Sequence, residues 1–185
     1  MTDICTEMQQ VFDDADCLCS PADVNAALDR MAEEMNAALS RSNPLVFCVM
    51  NGGVFITGQL LPRLTFPLEQ HYIHATRYRQ ATTGGLLDWK VKPDVSMKDR
   101  CVLILDDILD EGATLAAIAD YCHAEGASQV LTAALVDKEH DRKAVPGMKC
   151  DYTGLYVEDR YLFGCGMDYK GYWRNAPGIY AVKGL

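Results

Sequence analysis

Three carboxylates stand close together at Asp106, Asp107 and Asp110, inside the stretch CVLILDDILDEGATL that spans 101–115. The apolar run Val102–Leu105 before them predicts a fully buried strand. Glu111, Gly112, Ala113 and Thr114 follow, at the start of a helical pattern. A buried strand that ends in acids and turns through Gly and Thr into a helix has the layout of a phosphate-and-ribose site. Carboxylates accept hydrogen bonds from ribose hydroxyls, and helix-start N–H groups hold phosphate. Residues Asp110 to Thr114 could wrap a phosphate with successive backbone N–H groups.

In an ideal strand, Asp106 and Asp107 point to opposite faces and cannot chelate one ion together. At a strand end the chain can turn, and both could then reach a diol or a magnesium-bound ligand. Two other readings compete. DDILD matches the aspartate-rich motif of terpenoid synthases, but that motif lies on a helix in an all-α fold, whereas here it follows a β-favouring run and precedes a glycine. The other is a solvated strand end with ordinary loop acids, which leaves the Gly-x-Thr helix start unexplained.

The elements needed to position such a site recur along the chain. Ser20 caps a helix with Pro21 at its first position, and the stripe Val24, Leu28, Met31, Met35, Leu39 extends it over 21–41. Pro44 ends it. Leu45–Met50 predicts a wholly apolar strand that runs into Asn51-Gly52-Gly53 and a helix from Val54 to about Arg63. A strand–Gly-Gly–helix turn lets backbone approach a ligand, although a tight turn alone also explains a glycine pair. Residues 68–77 alternate as a strand. The polar segment 78–92, with Gly84-Gly85 at its centre, reads as a long hairpin or a lid. After the acidic strand come a helix at 113–125, a strand at 129–136 ending in Asp137-Lys138, a charged connection at 139–149, and strand signals at 152–157 and 178–182.

Strands alternating with helices predict an α/β fold with a mainly parallel sheet and helices on both faces. Ligands of such sheets bind outside the carboxyl ends of the strands, so Asn51-Gly52-Gly53, Asp106-Asp107 and Asp137-Lys138 share one edge. A chain of 185 residues with 49% hydrophobic content can build one domain around a substantial core. Its net charge of −9 argues against a nucleic-acid partner. The eight cysteines lack zinc spacing and predict reduced, mostly buried thiols. There is no signal-peptide pattern and no long apolar window, so no membrane partner and a cytoplasmic location are expected.

VLILDDILDEGATL resembles the phosphoribosyl pyrophosphate (PRPP) motif of type I phosphoribosyltransferases. From about residue 44 onward, the chain resembles the hypoxanthine-guanine phosphoribosyltransferases in particular. That resemblance implies a single domain over 1–185, in which the N-terminal helical segment 1–43 and residues 150–185 contribute to a purine-binding hood, with a flexible hairpin flap. It implies transfer of the 5-phosphoribosyl group from PRPP to hypoxanthine or guanine with release of pyrophosphate, in purine salvage. Asp106 and Asp107 would bind the ribose hydroxyls. Asp110 would be the general base, and Asp110, Glu111, Gly112, Ala113 and Thr114 the 5′-phosphate loop. Met50, Asn51, Gly52, Arg77 and Arg174 would contact pyrophosphate, in a loop whose peptide before the glycine pair is sometimes cis in that family. Ile108, Lys138, Tyr161 and Leu162 would contact the purine, with Lys138 donating to the 6-oxo group and Tyr161 stacking on the ring. Mg2+ is the implied cofactor, with Asp168 as its ligand and Asp106 and Asp107 as further candidates. A homodimer or homotetramer is the implied assembly.

The chain departs from the family pattern at four places. Asn51 stands where lysine is common, Glu111 enters the phosphate loop, Gly84 precedes Gly85 in the flap, and Arg77 precedes Tyr78 where serine is often seen. Arg77 could supply the charge missing at position 51, and Glu111 beside a phosphate needs its side chain to point away. A non-catalytic PRPP- or purine-binding regulator, or the same fold with xanthine preference, are the alternatives. The regulator usually carries a basic face or nucleic-acid module, and neither is visible here.

Overall fold

The computed structural model describes residues 3–77 and 87–184, with the backbone alone at Arg77 and Leu87. Two sheets make up its β-structure. The larger has six strands, ordered β4-β3-β2-β5-β6-β7. These are β2 (Leu45–Val49), β3 (Glu69–Arg77), β4 (Leu87–Val91), β5 (Cys101–Leu109), β6 (Gln129–Glu139) and β7 (Tyr152–Glu158). Neighbours from β3 to β7 pair in parallel, and only β4 is antiparallel, at the edge. The smaller sheet joins β1 (Asp16–Cys19), β9 (Ile179–Ala181) and β8 (Leu162–Phe163), all antiparallel.

Helix α2 (Pro21–Leu39) starts with a reciprocal cap: Ser20 accepts from the Asp23 N–H while Asp23 accepts from the Ser20 N–H at 2.8 Å. Its Leu28, Met31 and Met35 are fully buried. They pack with Leu103 and Leu105 of β5 and with Ile56 and Leu60 of α3 (Val54–Leu60). The other face of β5 presents Val102 and Ile104 to Leu115, Ile118 and Cys122 of α4 (Ala113–Ala124). The period-2 alternation of β5 thus feeds two cores, one on each side of the sheet, as a doubly covered parallel sheet requires. Among the described residues, no helix is long and apolar enough to cross a membrane.

Several boundaries differ from those read in the sequence. Strand β5 does not stop at Leu105 but runs to Leu109, so Asp106 and Asp107 lie within it, and β6 runs past Val136 to Glu139. The two strands pair through Ile108↔Val136 and Leu109↔Asp137. This mutual pairing carries polar residues into the ladder that an apolar-run criterion excludes. Helix α2 ends at Leu39, and α3 ends at Leu60 in a 3₁₀ turn over Leu61–Arg63. Within the segment 1–43 expected to be helical, α1 (Ile4–Asp14) is a helix separate from α2, and β1 interrupts them as a strand; β8 has no signal of its own in the sequence. The lid segment falls largely at 78–86, outside the described residues. Its flanks are described: β3 and β4 pair as the arms of a hairpin.

Candidate active site

The carboxyl ends of β2, β5 and β6 open on one side of the sheet, and the small sheet stands over them through residues 164–174. After β2 comes the loop Met50–Gly53, with a cis peptide between Met50 and Asn51. Gly52 lies directly against Asp107: a Cβ on it would sit 1.9 Å from the Asp107 carboxylate. Gly166, at φ +108°, approaches the same spot from the hood, where a Cβ would meet the Gly52 carbonyl at 2.2 Å. Two backbones, at Gly52 and Gly166, thus converge on one buried acid, and only residues without a Cβ allow it.

Asp107 is buried, and Asp106 keeps partial access to solvent. Asp106 accepts the Asp107 backbone N–H at 2.9 Å. Burial, and then the neighbouring Asp107 charge, push Asp106 well above the ordinary carboxylate range. Burial raises Asp107 as well, while the Asp106 carboxyl and the Arg174 charge pull it partway back. Both acids are thus pushed toward the protonated form. The nearest cation is Arg174, 4.0 Å from Asp107. Arg174 also ion-pairs with Asp168 and donates to the Gly166 carbonyl at 2.5 Å. Asp168 in turn accepts the Gly171 N–H at 2.6 Å.

Asp110 has different company. His140 Nε2 stands 2.7 Å from its Oδ1, and Lys138 Nζ stands 3.4 Å from its Oδ2. Lys138 is buried and reaches Asp159 at 3.3 Å. Asp159 is gripped by both guanidinium nitrogens of Arg142, at 2.5 and 3.0 Å. Arg142 foremost, then Lys138, hold the Asp159 carboxyl well below the usual range. Beneath this network, the Lys143 ammonium donates to the carbonyls of Leu109 (2.8 Å), Asp110 (2.9 Å) and Lys138 (3.0 Å) and to Asp137 Oδ1 (2.7 Å). One half-buried cation thus ties the exit of β5 to the end of β6.

Gly112, at φ +78°, is the left-handed residue that lets the chain turn into α4. Ala113 and Thr114 form its first turn, where N–H groups have no intrahelical acceptor. Glu111 is exposed, and its carbonyl accepts the Ala144 N–H at 2.7 Å. Its negative charge is felt at Arg142, whose pKa is raised by Asp159 first and by Asp110 and Glu111 besides. Glu111 thus lies within electrostatic reach of Arg142.

Tyr161 is 43% exposed, and its ring meets Tyr169 in a T-shaped contact with centroids 5.5 Å apart. Leu162 is buried in β8 and Ile108 half-buried in β5. Arg77 ends β3, and its side chain lies outside what is described.

Of the residues assigned to ribose, phosphate, pyrophosphate and purine, the structure brings Gly52, Asp107 and Arg174 together and sets Asp110 against Lys138; the surface between these two groups, at the carboxyl ends of β5 and β6, is the candidate cleft. The residues assigned to metal do not gather: among the described residues, Asp106, Asp107 and Asp168 form no three-ligand cluster, and Arg174 contacts Asp107 and Asp168 instead. Asp110, His140 and Asp159 do bring ligand atoms within 4.8 Å of one another. There the Lys138 ammonium, in contact with both acids, already supplies the positive charge. Sequence reading missed His140, Arg142, Lys143 and Asp159. The first three lie at 139–149, and basic side chains just past Asp137-Lys138 were the available signal.

A phosphoribosyl transferase domain model matches residues 22–170. The hypoxanthine-guanine-xanthine phosphoribosyltransferase of Tritrichomonas foetus is 30% identical over 96% of this chain and 97% of its own length. The hypoxanthine-guanine phosphoribosyltransferase of Streptococcus pneumoniae is 26% identical over 90% of this chain and 92% of its own. A solved structure of a hypoxanthine-guanine-xanthine phosphoribosyltransferase superposes with a TM-score of 0.78 at 28% identity, covering 93% of this chain and 97% of that one. Motif, sheet order and these matches agree, and the chain belongs to the phosphoribosyl transferase domain family.

Proposed function

We propose that this chain is a purine-salvage enzyme that transfers the 5-phosphoribosyl group of PRPP to hypoxanthine or guanine and releases pyrophosphate. One observation carries the choice of base: the Lys138 ammonium and the Asp110 carboxylate stand side by side, 3.4 Å apart, in the cleft. A 6-oxopurine offers its carbonyl oxygen to the lysine and, on the same edge, its imidazole-ring N7–H to the carboxylate, a pair that uracil lacks. Adenine would set its amino donor against the ammonium.

Asp110 would accept or hold the purine proton, leaving the attacking nitrogen a better nucleophile. Asp106 and Asp107 would hold the ribose hydroxyls and favour the positive charge that develops on the ribose carbon. The first turn of α4, entered through Gly112, would take the 5′-phosphate, with Thr114 as a further donor. Met50, Asn51, Gly52 and Arg174 would face pyrophosphate, and Arg174 would leave Asp168 or share it to do so. Tyr161 would cover the purine face, with Ile108 and Leu162 at its edges.

Carboxylate oxygens suit Mg2+, which is commonly held by one or two acids with substrate phosphates and water completing its shell. Asp168 and the Asp106–Asp107 pair fit that description in donor type, and among the described residues Arg174 is the one cation paired with them. When bound, Mg2+ would neutralise developing charge on the departing pyrophosphate.

The direct experiment measures pyrophosphate release from PRPP and Mg2+ with hypoxanthine, guanine, xanthine, adenine and uracil in parallel. Turnover is expected with hypoxanthine and guanine and not with adenine or uracil, and the xanthine arm sets the preference at the 2-position. Release with none of the five would refute the enzyme reading in favour of a binding protein.

A further inference from the structure

Asp110 is 44% exposed at its side chain, so packing does not orient it. Hydrogen bonds must do so, because a carboxylate turns easily about its last torsion. Its two oxygens have different partners: Lys138 on Oδ2, and the imidazole of His140 on Oδ1. The His140 side chain is only 4% exposed. Its other ring nitrogen, Nδ1, accepts the backbone N–H of Arg142 at 3.0 Å. A backbone N–H can only donate, so Nδ1 is the unprotonated nitrogen and the ring proton of the neutral imidazole sits on Nε2, aimed at Asp110.

We propose that His140 is a positioning residue for Asp110, committing Oδ1 to a fixed hydrogen bond so that Oδ2 is the oxygen offered to the purine. The inference rests on the function proposed above. When a 6-oxo group draws the Lys138 ammonium toward itself, Oδ2 is released at the moment the purine N–H arrives. Without the imidazole, both oxygens could swing onto Lys138 and close the acceptor off. Lys143 fixes the backbone from which Asp110 and Lys138 project, so the imidazole is left to set the carboxylate's rotation alone.

Among the described residues, the other charged groups facing this carboxylate are Lys138 on β6, Asp159 beyond β7 through that same lysine, Arg142 through Asp159, and Glu111 beside it in sequence. None of them is recorded on Oδ1, where His140 stands at 2.7 Å.

The test compares His140→Phe and His140→Gln with the unmodified enzyme, in hypoxanthine and PRPP assays from pH 5 to pH 9. His140→Phe is expected to lower kcat on the order of tenfold, equivalent to about 1.4 kcal/mol. KM for PRPP should stay within about twofold, as expected for one lost hydrogen bond. His140→Gln places an amide N–H near the position of Nε2, and should recover most of kcat. If His140→Phe does not fold, His140→Asn, whose shorter amide cannot reach Oδ1, takes its place with the same expectation. An unmoved kcat in His140→Phe, an equal loss of kcat in both variants, or a loss that appears in KM for PRPP instead of kcat, would overturn the proposal. Failure of the unmodified enzyme to consume hypoxanthine would instead overturn the proposed function, so the two failures are distinct.

Discussion

Asp106 and Asp107 on one side, and Asp110 on the other, lie within five residues of chain, yet their electrostatic surroundings are opposite. The first two crowd each other in a desolvated notch, with one arginine at 4.0 Å, and both are pushed toward protonation. Asp110 meets an ammonium and an imidazole within 3.4 Å, and Asp137 below it is clamped by Lys143. Among the described residues, one half of the cleft thus sets two crowded acids against a single arginine, and the other half carries its own cations. The physical difference predicts their use: the crowded pair suits a ligand that brings hydroxyls and a divalent cation, while the compensated acid is free to exchange a proton with a neutral base.

The largest effect should come from removing the proton acceptor in the compensated half. Asp110→Asn keeps the shape and the His140 contact but not the basicity. We expect kcat to fall by roughly 10²–10⁴-fold with KM for PRPP little changed. A raised KM at unchanged kcat would place Asp110 in binding and dissolve the distinction between the two halves.

Next in size is the clamp. Lys143→Met keeps the stem but leaves Asp137, whose side chain is 7% exposed, and three carbonyls without their donor. Loss of one partner of a buried pair costs about 3 kcal/mol, which at this chain length lowers Tm by roughly 6–12 °C. Thermal unfolding checks this, and Lys143→Met with Asp137→Leu should recover part of the loss. A double variant no better than the single one would mean that the carbonyls, not the carboxylate, need the ammonium.

On the crowded side, Gly52→Ala would press a methyl group against Asp107. The carboxylate must swing aside, at a cost of about 1–3 kcal/mol, and KM for PRPP should rise while KM for hypoxanthine does not. Equal rises in both would show that the notch is shared between the substrates.

Much of this was legible in the sequence, for reasons that are local. The apolar runs of β2 and β5, the Ser20-Pro21 helix start and the Gly-x-Thr turn each encode their conformation within a few residues. The PRPP motif binds three of those signals into one. What escaped was non-local. Strand β1 exists because Asp16–Cys19 pairs with β9, some 160 residues away in sequence. The polar ends of β5 and β6 are strands because they pair with each other. Lys143 and His140 read as loop charges until the fold places one among backbone carbonyls and the other on Asp110. The implied metal set shows the same limit, since spacing along the chain could not reveal that Arg174 sits against both Asp107 and Asp168.

The smallest effect is the most diagnostic of the comparison, because its sign is unusual. A carboxylate whose pKa is raised by folding destabilises the folded state above the unfolded value of about 3.9. Below that pH both states hold the proton and there is no contribution. As pH climbs toward the raised value, the unfolded chain releases its proton first, so stability falls with rising pH; above it the deficit is constant. Asp106→Asn removes the titration while its side-chain oxygen can still accept the Asp107 N–H. The variant should therefore melt a few degrees above the unmodified protein at pH 8, and the gain should vanish near pH 4. Turnover should fall, since the ribose loses a charged acceptor, and saturating Mg2+ with PRPP should narrow the Tm gap by stabilising the unmodified protein more. A gap that does not change with pH would mean that burial of the paired charges is not what sets this half of the cleft apart.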